Sequence, residues 1–113
     1  MVAIDKRLRF EEAPDLGNGK VCLYFIGDKS LYSDITGRTD EKCVGMTLSI
    51  EMPIENTDPD CEELLVSISP TEQDGDMFFD YDWDDIALPS EEIASLIQMW
   101  KEAINEQNTK GNY

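Results

Sequence analysis

Apolar positions recur along the chain at two spacings, and the alternation between them marks out most of the elements. Val44, Met46, Leu48, Ile50 and Met52 alternate with Cys43, Gly45, Thr47, Ser49 and Glu51 and are closed by Pro53, the cleanest two-residue period in the sequence. It predicts a strand with one face buried. Lys20 to Ile26 carries Val21, Leu23 and Phe25 on one parity and Cys22, Tyr24 and Ile26 on the other, the pattern of an inner strand covered on both faces. Val2, Ile4, Leu8 and Phe10 predict a half-buried edge strand, followed by turn chemistry at Asp15-Leu16-Gly17-Asn18-Gly19. Gly27 to Lys42 reads as a long polar connection in which Leu31, Tyr32 and Ile35 fit a short helical turn or a packed flap.

Leu64, Val66 and Ile68 predict a further strand ending at Ser69-Pro70, and Glu72-Gln73-Asp74-Gly75 predicts a hairpin turn after it. Met77, Phe79, Tyr81 and Trp83 then form the apolar parity of a last strand, expected to face the core. Its other parity holds Asp76, Phe78, Asp80, Asp82 and Asp84, an outward ladder of carboxylates about 6.6 to 6.8 Å apart. Ser90 suits a helix N-cap, with Glu91 and Glu92 in the first turn where the helix dipole favours negative charge. Ile93, Leu96, Ile97, Trp100, Ala103 and Ile104 make one apolar stripe, with Glu92, Ser95, Gln98, Lys101, Glu102, Asn105 and Glu106 on the outer face. This helix is expected to end near Asn108, with residues 109–113 frayed. The predicted fold class is α+β, an antiparallel meander sheet of four to five strands with one C-terminal amphipathic helix on one face. Residues 1–113 form a single domain, without repeats.

Charge changes this picture from a plain domain to a polarised one. The chain has 25 acids against 9 bases, a net charge of −16, and 41% hydrophobic residues, too apolar for a disordered chain. The excess is not evenly spread. Residues 1–42 are near neutral at −1, whereas residues 43–100 hold fifteen acids and not one Lys or Arg. A surface shaped only by solubility intersperses both signs, because a single-sign field destabilises the compact state. Direct binding to nucleic acid or to an anionic membrane is disfavoured, since each phosphate contact calls for Lys or Arg.

The absence of histidine removes the commonest general base, the Ser-His and Cys-His nucleophile pairs and most zinc sites. Cys22, Cys43 and Cys61 are odd in number and widely spaced, so they form neither a disulfide framework nor a metal knuckle, and no cofactor is expected. The first ten residues lack the apolar run of a signal peptide, and no stretch approaches the ~20 residues of a membrane span. A reducing cytoplasm fits this composition.

Asp80, Asp82, Asp84 and Glu91 match positions of an EF-hand calcium loop by spacing, but Asp85 stands where the loop needs Gly and no helix pattern precedes it. Paired-carboxylate hydrolysis needs a deep cleft, for which a sheet with one helix leaves little room. The reading that remains is a non-enzymatic binding protein whose acidic surface imitates a phosphate array. Asp76, Asp80, Asp82 and Asp84 form the ladder in this reading. Asp74 and Asp85, with the loop residues Asp58, Asp60, Glu62 and Glu63, flank it, and Phe78 is an apolar anchor among them. In size, charge and lack of catalytic residue types the chain resembles phage-encoded anti-CRISPR and anti-restriction mimics of nucleic acid. That resemblance implies a basic partner such as a CRISPR nuclease or a restriction enzyme, blocked by competition. An immunity protein for a nuclease toxin, or a small acidic accessory domain with weak divalent-metal binding, are the alternatives.

Overall fold

The computed structural model describes residues 4–39 and 41–110, with side chains placed as far as Asn105. Val2, the side chain of Glu106 and the end at 111–113 lie outside the described residues. A short 3-10 turn at Ile4–Lys6 leads into strand β1 (Arg9–Glu12), followed by β2 (Lys20–Gly27), helix α1 (Lys29–Thr36), β3 (Cys43–Pro53) and β4 (Leu65–Asp74). Strands β5 (Met77–Asp80) and β6 (Asp84–Ile86) and helix α2 (Ser90–Lys110) complete the chain. The fold is α+β: a five-strand antiparallel meander, β1-β2-β3-β4-β5, curled into a half-barrel, with one internal and one C-terminal helix. The short β6 adds to β4 beyond β5.

Strand β3 forms where the alternation is cleanest, and it has a neighbour on each side, β2 and β4. Its inward parity, Met46, Leu48, Ile50 and Met52, joins Val21, Leu23 and Phe25 of β2 and Val66 and Ile68 of β4 in one core. Both helices close that face. Leu31 and Tyr32 of α1 and Ile93, Leu96 and Ile97 of α2 are buried in the same cluster, with Ile4 and Leu8 from the N-terminal turn. The stripe of α2 is deep only at its start, since Trp100 is half-buried and Ile104 is exposed.

The 27–42 connection takes the helical of its two expected forms, as α1, because Asp28 caps it and Gly37 ends it. The Asp28 side chain accepts from the Leu31 N–H at 2.9 Å, and Gly37 takes φ 72° and donates its N–H to the Ser33 carbonyl. Ile4 lies in a 3-10 turn rather than in a strand, so β1 begins only at Arg9. β4 does not stop at Ser69-Pro70 but continues to Asp74, and α2 continues through Thr109 to Lys110. At the start of β3 a register shift between Cys43 and Gly45 turns Cys43 inward and leaves Val44 48% exposed, against the alternation read from the sequence.

Candidate protein interface

The edge of the sheet beyond β4 is where the charge and the unexpected exposure coincide. β5 pairs with the far half of β4, Thr71↔Asp80 to Asp74↔Met77, and β6 with the near half, Val66↔Ile86 to Ile68↔Asp84. Between them Tyr81, Asp82 and Trp83 stand opposite only Ser69 and Pro70, a one-residue surplus that breaks the ladder. Pro70 has no N–H to give to any partner. The buried Ser69 hydroxyl substitutes for backbone here, accepting from the Tyr81 N–H at 3.2 Å and the Asp82 N–H at 3.3 Å while donating to the Pro70 carbonyl at 3.0 Å.

This break overturns the continuous last strand and with it the expectation that Met77, Phe79, Tyr81 and Trp83 reach the core. All four are exposed, as is Phe78 at 63%. No layer covers this edge among the described residues, so the apolar parity faces out. The rings pack only on one another and on the open sheet face: Phe79 meets Tyr81 edge-on at 6.2 Å, and Trp83 meets Tyr24 at 6.5 Å.

The predicted carboxylates therefore divide by environment rather than forming one outward row. Asp80 is half-buried, and one of its oxygens, Oδ1, accepts from the Thr47 hydroxyl at 2.9 Å and the Thr71 hydroxyl at 2.7 Å. Asp84 is half-buried and ion-paired with Arg38, which follows α1. Asp85 accepts from the Ser67 hydroxyl at 3.1 Å. Asp82 is exposed, and so are Asp74 and Asp76 at the β4–β5 hairpin, where Gly75 adopts φ 63° in a two-residue turn. In the β3–β4 loop, Asp58 accepts from the Asp60 N–H at 2.9 Å, and Asp60 accepts from the hydroxyl of Ser90 at the start of α2. Glu62 and Glu63 are exposed beside them in sequence.

The register nevertheless lines these groups along one border. The β3–β4 loop and the start of α2 lie at the near end of β4, Asp85, Asp84, Asp82 and Asp80 follow along its edge, and Asp76 and Asp74 close the far end. β4 has ten residues and so spans about 33 Å at 3.3 Å per residue. The six carboxylates from Asp74 to Asp85 along this border are thus spaced about one per 5.5 Å, sparser than DNA's one phosphate per about 3.4 Å of axis on each strand.

Most of the paired cations sit elsewhere. Arg7 pairs with Asp34 at 2.7 Å and lies 3.8 Å from Asp28, and Arg9 is 3.7 Å from Glu11, all before β3. Arg38 reaches across to the acidic edge, and the hydrogen bond to Asp84 raises its pKa. The Ser30 hydroxyl and the Leu31 N–H hold the Asp28 carboxyl below its ordinary value. Burial pushes the Cys22 thiol up, and the side-chain hydrogen bond with Cys22 helps raise Tyr24 to about 12.

On the sheet face away from the core, β2, β3, β4 and β5 frame a cleft of about 400 Å³ that includes Ile26, Val44, Thr47, Phe78 and Asp80. Sequence reasoning missed Val44, Thr47, Ser69 and Thr71 as members of this region. The hydroxyl-rich parity of Thr47, Ser49, Ser67, Ser69 and Thr71 was the available signal, because such a row on a sheet face offers donors to nearby carboxylates. Among the described residues no three Cys, Asp or Glu side chains gather as a metal cage, and the EF-hand-like spacing is separated by the Asp80 and Asp84 partners just described. No helix among the described residues is long and apolar enough to cross a membrane. Comparisons with family models, curated proteins and solved structures found no match.

Proposed function

We propose that this chain is a non-enzymatic inhibitor that occupies the nucleic-acid groove of a basic DNA- or RNA-binding protein in the cytoplasm. A CRISPR nuclease, a restriction enzyme or a nuclease toxin fits that description of the partner. The observation that carries the reading is the edge itself: a border of about 33 Å with carboxylates along it, of which Arg38 pairs with Asp84 alone, and exposed aromatic rings between them. Carboxylates in a row steer a basic surface in and make its binding salt-dependent, while the rings supply the apolar contact that charge alone lacks. Mimicry needs no catalytic group, and this accords with a chain without histidine.

The test is capture from a host lysate on the tagged protein at low salt, with salt-gradient elution, mass spectrometry and competition by added DNA or RNA. One basic nucleic-acid-handling protein, released by salt and displaced by nucleic acid, is the expected result. A partner that nucleic acid does not displace, or one retained only when calcium is present, contradicts the reading.

A further inference from the structure

We propose that the cleft between Val44 and Phe78 is a pocket for one arginine side chain of the partner, with Asp80 at its base as the guanidinium receptor. This rests on the inhibitor reading and gives the edge a specific point of contact. Three observations converge on it. The cleft is mostly apolar, and its rim residues Val44 and Phe78 are 48% and 63% exposed, large contact areas that the described residues leave uncovered. Among the described residues Asp80 is the one charged side chain lining it. The carboxylate is half-buried and oriented, because two threonine hydroxyls donate to Oδ1, while the ion pairs of Arg7, Arg9 and Arg38 all go to other acids.

A half-buried carboxylate held by neutral donors favours an incoming cation. Guanidinium fits this shape better than ammonium. Its planar, weakly hydrated face stacks on the Phe78 ring while an N–H edge reaches the Oδ2 side of Asp80, and the stem lies on Val44 and Ile26. A second copy of this chain is a poor occupant, since edge-to-edge pairing would set Asp74, Asp76 and Asp82 against their own like charges. A metal ion is a poor one too, with a single carboxylate and two hydroxyls committed to it.

The experiment is an NMR titration of the full-length, 15N-labelled protein with the capped peptide acetyl-Gly-Arg-Gly-amide, and with its lysine counterpart, at low salt. Arginine peptide should shift the amides of Val44, Gly45, Thr47, Phe78 and Asp80 and bind more tightly than lysine peptide. Asp80→Asn keeps an acceptor for both threonines, and Phe78→Ala removes an exposed ring, so both variants should fold. Each should weaken arginine binding by about tenfold or more. Asp76→Asn, the same charge change outside the cleft, should alter it less than about twofold. Equal weakening by Asp76→Asn and Asp80→Asn, or shifts centred on the hairpin and the 55–63 loop, would overturn the pocket and leave a diffuse acidic edge intact. A pocket that binds arginine while the lysate capture yields no basic partner would separate the two ideas in the other direction.

Discussion

Strand β3 and the 77–86 edge carry the same alternation in sequence and opposite fates in structure. Met46, Leu48, Ile50 and Met52 are wholly buried, whereas Met77, Phe79, Tyr81 and Trp83, an equally regular apolar parity, are exposed. The difference lies in what surrounds them. β3 has a strand on each side and helices over its inward face, while the edge has only β4 on one side and loses its pairing at Tyr81–Trp83. Alternation reports that the two faces of a segment differ, and a second layer of protein decides which of them is dry.

The largest loss is expected at Leu48, fully buried in the core. Leu48→Ala is expected to cost about 2–5 kcal/mol, the range for emptying a packed aliphatic site, and Met77→Ala to stay within about 0.5 kcal/mol. Urea midpoints at constant m-value measure both, and comparable losses would mean that the edge is core after all. Next comes charge reversal. Asp80→Lys with Asp82→Lys and Asp84→Lys should destabilise strongly, because the first change removes both threonine bonds and the last sets an ammonium against Arg38. Asp74→Lys with Asp76→Lys at the hairpin should leave the fold intact, as thermal melts of the two variants will show.

A smaller loss is expected from Ser69→Ala, where the ladder breaks. It orphans the N–H groups of Tyr81 and Asp82 and should cost about 1–3 kcal/mol, with faster hydrogen exchange at those two amides. The smallest effect belongs to Asp28, on the near-neutral side of the molecule. Its folded pKa is depressed, chiefly by the Ser30 hydroxyl, so its stabilisation is full above the ordinary carboxylate pKa and is lost as pH falls through the lower folded value. Asp28→Asn keeps the cap acceptor and should flatten that acid limb of the stability curve, read from denaturant midpoints between about pH 5 and pH 2.

The sheet order, the central strands and α2 were legible because each carries its own periodicity, but coverage falls short of it in two places: the outer parity of β2, at Tyr24 and Ile26, is half-exposed rather than covered, and the stripe of α2 is buried only at its start. Helix α1 was legible only as one of two forms, a helical turn or a flap, since eight residues offer little periodicity and its evidence is local: Asp28 before it and Gly37 after it. The edge failed for a different reason. One surplus residue opposite Ser69-Pro70 is invisible to parity counting, yet it separates Asp80 from Asp84 and gives them unlike partners, Thr47 with Thr71 and Arg38. The acidic members of the candidate surface were legible as composition. Their division into oriented and solvent-facing groups depended on hydroxyls contributed by other strands.

The most direct test of the account is hydrogen exchange by mass spectrometry on the protein alone and bound to the basic partner that capture provides. Protection gained at residues 74–86 and 55–63, with β2 and the core face of β3 unchanged, is the predicted result. Protection confined to α1 and β1, with the acidic edge exchanging as it does in the isolated chain, would contradict it.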